Sequence, residues 1–518
     1  MGKRWIYLTH RWLGMTLCLF MALWFLSGVV MMYVGYPKLT QLERLARLPD
    51  LALGDDCCVS PQQALLAARK ALTEEPRTNV PTPRVRDRGM PPDLRLTMLG
   101  NTPYWLASDD PDRPVSVNAI TGEAVQRFDE EHALRVASAF APKSRPRLMG
   151  EIRQDIFTVS RGLNVHRPLF RIALDDVDGT EIYVSSRTGE VVRDSTRLER
   201  GWNYLGAILH FFYPLKGEFF DKLRSDIIIY TSLAGTFLAL LGIWIGVLRW
   251  RINGRFGNGS RSPYRENWMH WHHISGLIFG LVTLTWILSG MLSLNPWRVF
   301  DSNGPQLDRG AFAGIGMEQA RFPLPLHTAT ARAGFPVREI GIRLFNGQPY
   351  YLLRAGDGRT RLIVADDPGN ENQVMERIPD AALLSAATKL LADHRIVRAT
   401  VLVSHDNYYY DRQPHNMSGH IERRLPALRV EFDDPMRTWI HLDPHTASVF
   451  NRLDDVGRIR RWLFNFLHSF DLRGFVDSRP LWDITLILLS LGGFAICISG
   501  VVIGWRRLKR SATLPATR

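Results

Sequence analysis

Four histidines stand where an iron could be gripped from two sides. His10 opens the pattern His10-Arg-Trp-Leu-Gly14 … Ser27-Gly28, and His272 opens His272-His-Ile-Ser-Gly276 … Ser289-Gly290 with the same internal spacing. His210 and His468 belong to a second block that recurs at a constant offset of 258, together with Arg171/Arg429, Asp175-Asp176/Asp433-Asp434, Thr188/Thr446, Gly242/Gly500 and Gly246/Gly504. Neutral imidazole is a good axial ligand for haem iron, and two histidines fill both axial positions. Gly14 and Gly276 lie one helical turn beyond His10 and His272 on the same face, where a missing side chain lets a flat macrocycle approach the backbone.

The elements that would position these residues are membrane spans. Residues 12–37, 227–248, 267–297 and 484–505 contain no Asp, Glu, Lys or Arg, and each reaches the roughly 20 apolar residues that cross about 30 Å of hydrocarbon. Four spans leave two large polar loops on one side. The expected division is 1–37 (N-terminus and first span), 38–200 (first exported region), 201–250 (interfacial helix and second span), 251–266 (linker), 267–297 (third span), 298–458 (second exported region), 459–505 (interfacial helix and fourth span) and 506–518 (tail). The fold class is an α+β membrane protein: a pseudo-two-fold bundle of four helices carrying two large α+β regions. The linker 251–263, rich in Gly, Asn and Ser, reads as flexible.

Charge orients the chain. Of its 518 residues 64 are Lys or Arg and 51 Asp or Glu, a formal +13. The termini and linker carry Lys3, Arg4, Arg11, Arg249, Arg251, Arg255, Arg261, Arg265, Arg506, Arg507, Lys509, Arg510 and Arg518 against Glu266 alone, which accounts for nearly all of that excess. This is the positive-inside pattern: both termini cytoplasmic, both loops exported. The basicity thus reports orientation and argues against a nucleic-acid partner. The first apolar run is too long for a signal-peptide core and is echoed by the third span. Cys18 and Cys497 fall within spans as packing residues. Cys57-Cys58 admit a disulfide or a soft-metal site, with two surface thiols the plainer reading.

His10 and His272 fall at the cytoplasmic ends of spans one and three. His210 and His468 fall on short uncharged stretches, 201–215 and 462–470, suited to helices lying against the exported face. His10 and His210 are then a bilayer apart and cannot share one iron. Pairing must run between halves, His10 with His272 and His210 with His468, giving two haem sites. His270 and His273 are alternatives to His272. Trp5, Trp12, Trp268 and Trp271 are candidates to flank a porphyrin, and Arg4, Arg11 and Arg265 to pair its propionates. Taken singly, an interfacial His beside Trp is more often a membrane anchor, and a Gly in a span more often serves helix packing; the matched set carries the haem reading.

In the exported regions helices are expected over 60–72, 130–140 and 381–391. Strands are expected over 95–107, 170–174, 181–185, 340–354 and 427–442, with a Pro-rich connector over 76–93. One cluster lacks a partner in the first half: His405, Tyr408, Tyr409 and Tyr410, followed by His415 and His420. Its aromatic and His/Asp residues are candidate contacts for an iron chelate or metal, with an aromatic plug as the structural alternative. No Gly-rich dinucleotide loop follows a strand, and the spans hold no ionisable pathway for a transporter.

His10-Arg-Trp-Leu-Gly14, the turn Asp175-Asp … Arg187-Thr-Gly-Glu190, Arg429-Val-Glu-Phe-Asp-Asp434 … Asp443-Pro444 and Leu467-His-Ser-Phe-Asp471 together resemble the PepSY-associated transmembrane family over nearly the whole chain. The resemblance implies a bacterial inner-membrane protein with periplasmic PepSY modules. It further implies a di-haem b protein that takes electrons from a cytoplasmic or quinol donor and reduces a ferric siderophore or other metal complex. His10, His272, His210 and His468 are the residues matching the family's span motifs. The two exported regions are larger and more equal than in compact reductases, so the other family theme stands as the alternative: a haem-free, membrane-anchored module that binds or regulates a periplasmic peptidase or envelope partner.

Overall fold

The computed structural model describes residues 2–55, 57–74, 87–216, 220–366, 369, 374–413, 416 and 419–513. Most of the Pro-rich connector, and His415, lie outside the described residues. Four long apolar helices, Gly2–Met31, Asp221–Arg249, Asn267–Ser293 and Leu481–Thr513, are the spans. At about 1.5 Å rise per residue each exceeds the roughly 30 Å of a hydrocarbon core. The first packs on the second and fourth, and the third on the same two. The first and third, which carry His10 and His272, therefore stand across the diagonal of a four-sided bundle.

Among the described residues sixteen strands build the domain side. The first half supplies β1 (Asp93–Leu99), β2 (Thr102–Ser108), β3 (Val115–Asn118) and β4 (Ala124–Val125). It then supplies a meander, β5 (Arg147–Ile152), β6 (Leu169–Ala173), β7 (Glu181–Ser185) and β8 (Val191–Ser195). The second half repeats the scheme with β9 (Val337–Phe345), β10 (Gln348–Ala355), β11 (Thr360–Val364) and β12 (Val374–Met375). Its meander is β13 (Ile396–Leu402), β14 (Ala427–Phe432), β15 (Trp439–Asp443) and β16 (Ser448–Leu453). The starts of β6 and β14, and of β7 and β15, keep the 258-residue offset.

The two large loops do not fold apart. Strands β1 and β9 pair antiparallel, with Arg95 opposite Gly341, Leu96 opposite Ile340 and Thr97 opposite Glu339, so one eight-stranded sheet runs β12-β11-β10-β9-β1-β2-β3-β4 through both. Both faces of that sheet are buried, and its side chains alternate accordingly. Leu94, Leu96, Trp105, Ile340, Ile342, Tyr351 and Leu353 join one core with the helices Pro61–Glu74 and Leu326–Arg332. From the opposite face, Tyr104 and Leu106 meet helix Glu130–Phe140 and the β5–β8 meander, while Tyr350 and Leu352 meet helix Asp380–Ala387 and the β13–β16 meander.

A buried ionic cluster locks the junction. Glu339, 0% exposed, accepts from Arg44 at 2.6 Å, Arg95 at 3.0 Å and Arg354 at 2.8 Å, while Arg95 also reaches Glu190 at 2.7 Å. Burial raises the Glu339 carboxyl, but the three guanidinium groups outweigh it and hold the group well below the ordinary carboxylate range. Arg44 is presented by helix Gln41–Arg47, whose N-terminus is fixed by a Thr40/Glu43 capping box.

Two expectations are corrected. The linker is an ordered loop: Arg251 N–H donates to Arg261 O, Phe256 N–H to Ser260 O and Asn258 Nδ2 to Ser262 O, and the Arg251 guanidinium lies 3.8 Å from the Phe256 ring centre. Local side-chain and stacking contacts thus hold what its Gly and Asn content reads as slack. Cys57 and Cys58 are bonded to each other as a disulfide, not left as two thiols.

Candidate functional site

Both expected histidine pairs meet. His10 and His272 face each other across the bundle with ring centres 6.3 Å apart, and His210 and His468 do so at 6.4 Å. A metal–imidazole bond of about 2 Å puts the ring centre about 3 Å from the metal, so two imidazoles on opposite faces of one iron stand a little over 6 Å apart, centre to centre. Both gaps have that size. Seventeen residues separate His10 from Ser27, the contact of His210, along the first span, a rise of about 26 Å. The two pairs therefore form two sites, one on the terminal side of the bundle and one on the domain side.

The hydrogen bonds behind the rings set their tautomers. His10 Nδ1 faces Leu238 O at 3.3 Å, and His272 Nδ1 faces Ile496 O at 3.1 Å and Ser499 Oγ at 2.9 Å. A carbonyl only accepts, so Nδ1 carries the proton in both rings. On the domain side Ser27 Oγ spends its proton on Trp24 O and Ser289 Oγ on Trp286 O, each at 3.1 Å. Each hydroxyl therefore accepts from the histidine it faces, His210 Nδ1 at 3.0 Å and His468 Nδ1 at 3.1 Å. All four Nε2 atoms keep their lone pairs, and none has a hydrogen-bond partner among the described residues. Burial first, and His468 second, push His210 down to about 3; burial pushes His468 down to about 4. Both domain-side rings are neutral near pH 7, the form that ligates metal.

Glycines shape the space around the rings. A Cβ at Gly242 would lie 2.9 Å from His10 Cε1, and one at Gly500 would lie 2.8 Å from Cys18 Sγ and 3.6 Å from His272 Cε1. These two are matched positions of the repeat on spans two and four. Gly28 and Gly290 back His210 and His468 at 3.9 and 3.5 Å. A Cβ at Gly276 would meet nothing within 4 Å, because Gly276, with Gly14, lines a cavity of about 350 Å³ around His10 and His272. That volume suits a small-molecule or cofactor site. The cavity runs from Tyr7, Tyr264, Arg11 and Arg507 at its terminal-side mouth to Gly235, Thr283 and Ile287 in the bundle. Paired Nε2 lone pairs, a glycine-lined slot and two cations at its mouth fit a flat dianionic macrocycle holding a metal.

Other candidates fall differently. His273 is committed at both nitrogens, Nδ1 to Ser262 Oγ at 2.8 Å and Nε2 to Gly246 O at 2.9 Å, so it ties the linker to the bundle. His270 packs edge-on against Trp271; His272 alone of the three meets His10. Trp5, Trp12, Trp268 and Trp271 are exposed on the bundle's outer surface and none lines the cavity. Of Arg4, Arg11 and Arg265 only Arg11 does; Arg507, hidden in a run of basic residues, is a second cation that lines the cavity.

The His405–Tyr410 cluster turns inward. Tyr409 is 0% exposed, stacked on His441 at 4.8 Å, and Tyr410 Oη donates to Asp471 at 2.5 Å. Tyr408 Oη accepts from Trp462 Nε1 at 3.0 Å, and His405 Nε2 meets Arg423 O at 2.8 Å. These contacts make the segment an aromatic plug over the second meander. Arg429 holds its Asp406 at 2.7 Å and reaches His441 at 2.8 Å, while in the first half Arg171, the residue matching Arg429, pairs with Glu181 at 2.7 Å.

A search of curated proteins finds no match to this chain. The family described as PepSY-associated TM region matches residues 7–507, from just before His10 to Arg507. With four apolar helices and nearly its whole length covered, the chain is a membrane protein that belongs to the PepSY-associated TM region family.

Proposed function

We propose that the chain is a di-haem b protein of a bacterial inner membrane, passing electrons from a cytoplasmic or quinol donor to a periplasmic acceptor such as a ferric siderophore or other metal complex. The observation that carries the reading is the paired, tautomer-fixed imidazoles at 6.3 and 6.4 Å. His10 and His272 would hold one haem, and His210 and His468 the other. Bound haem iron supplies one-electron chemistry.

The chain's own residues orient and insulate that chemistry. Leu238 O, Ile496 O, Ser27 and Ser289 hold the ring planes and keep Nε2 bare. Gly14 and Gly276 leave the slot open, and Arg11 and Arg507 offer positive charge at its mouth. Between the two sites, Met21, Phe25 and Ile287 are buried, with Trp286 packed against Phe25 at 5.9 Å, which keeps bulk water out of the bundle.

Purified membranes are expected to show a Soret band and visible bands that sharpen on dithionite reduction. His10→Ala should remove one component and His468→Ala the other. A colourless preparation from haem-replete cells would overturn the reading and favour the anchored binding module.

A further inference from the structure

Among the described residues five arginines are buried: Arg193, Arg224, Arg354, Arg429 and Arg461. Four meet a carboxylate: Arg224 with Asp221 at 3.3 Å, Arg354 with Glu339 at 2.8 Å, Arg429 with Asp406 at 2.7 Å, and Arg461 with Asp471 at 4.0 Å. Arg193, 5% exposed on β8, makes no ion pair among the described residues; its side chain hydrogen-bonds Tyr36, but its Nε and Nη1 have no hydrogen-bond partner. A buried charge without a partner is far costlier than a paired one, so this guanidinium calls for a counter-charge.

Asp471, the carboxylate beside Arg461 and Arg412, is matched at the 258-residue offset by Tyr213. In the first half Arg193 lies over the Tyr36 ring at 5.2 Å, and Tyr36 packs edge-on against Tyr213 at 4.9 Å. One phenol, Tyr213, stands at the position of Asp471, while Arg461 is matched by Asn203 and Arg193 by Asn451. The location is functional, since Tyr213 stacks on Phe211 at 5.4 Å and Phe211 meets His210 at 5.2 Å.

We propose that Arg193 is an anion seat that takes a carboxylate next to the His210/His468 site. The carboxylate is either a haem propionate or a group on the periplasmic acceptor, and only the propionate case rests on the haem reading above. Nε–H and Nη1–H are the donors that stand open to such a group.

The test starts from haem-free full-length protein in detergent, its melting midpoint followed against citrate with ionic strength held constant. If the acceptor supplies the carboxylate, citrate stabilises wild type, and Arg193→Gln weakens the apparent affinity roughly tenfold or more. Arg193→Lys should retain part of the response. Without citrate, Arg193→Gln is expected to melt no lower than wild type, because it removes an unpaired charge. In a second arm the protein is loaded with haem b or with its dimethyl ester. If a propionate is the ligand, wild type prefers the free acid and Arg193→Gln loses the preference. A positive result in either arm supports the seat and names the source. It is overturned if citrate and esterification make no difference between wild type and Arg193→Gln, or if that variant melts lower with its responses unchanged. Failure to take up any haem would sink the haem reading while leaving the citrate arm to decide the seat.

Discussion

Glu339 offers the sharpest handle on how the two halves are joined. The β1–β9 seam consists of three register pairs, and Glu339 is one of them. Glu339→Gln keeps the shape but leaves Arg44, Arg95 and Arg354 without their shared charge. Breaking a buried ion pair by neutralising one partner costs about 3–5 kcal/mol, because the stranded charges stay desolvated. For a region of this size that is a fall in melting midpoint on the order of 10 °C. Glu190, 5% exposed, remains beside Arg95 and Arg44 and softens the loss. The pH dependence follows from the depressed Glu339 carboxyl. Its contribution is fully present above the unfolded carboxylate value of about 4.3 and fades as pH falls below that toward the folded value. The assay is thermal unfolding of the detergent-solubilised protein between pH 3 and 8, read by circular dichroism, with hydrogen exchange at β1 and β9 as the local probe. Wild type and variant should differ most near pH 7 and converge in acid. Equal midpoints at pH 7, or a gap unchanged down to pH 3, would refute the junction's dependence on this charge.

Gly276→Ala, whose Cβ meets no protein atom within 4 Å, should leave haem-free stability unchanged but lower haem occupancy at the terminal-side site, measured by haem titration. Gly242→Ala, pressing on His10 Cε1 at 2.9 Å, should alter the terminal-side component of the reduced spectrum while sparing the domain-side one. Ser27→Ala frees His210 Nδ1 and should weaken domain-side haem affinity roughly 10- to 100-fold, by analogy with other residues that orient metal-ligating histidines; an unchanged titration would refute the tautomer argument. Tyr409→Ala, emptying a fully buried position, should cost about 3–5 kcal/mol of stability, seen as a lower melting midpoint with haem content retained.

The histidine pairs were legible because duplication reports a pseudo-symmetric bundle, and a bundle brings matched positions face to face. Helix Glu130–Phe140 and strand Glu181–Ser185 were legible residue for residue, since a cap and helical spacing mark the one and flanking turns mark the other. The shared sheet was not. Near-continuous burial in β1 and β9 says that both faces are covered, but it carries no information about which strand lies at the edge. The tryptophans misled because Trp12 and Trp271 lie two and one positions from His10 and His272, off the face that looks inward. Ser27 and Ser289 sat in the repeated motif in plain view. Their role as acceptors depends on His210 and His468, which are remote in sequence and reach them only through the break at Gly206 and the wide helical turn Arg461–Phe466.

Haem content per chain tests the central claim most directly. Protein purified from haem-replete cells, denatured in alkaline pyridine and reduced, should yield two haem b per polypeptide, falling to one in His10→Ala or His468→Ala and to none in the double variant. A wild-type preparation with no haem, or one whose haem survives loss of both residues, would contradict the assignment of the four imidazoles.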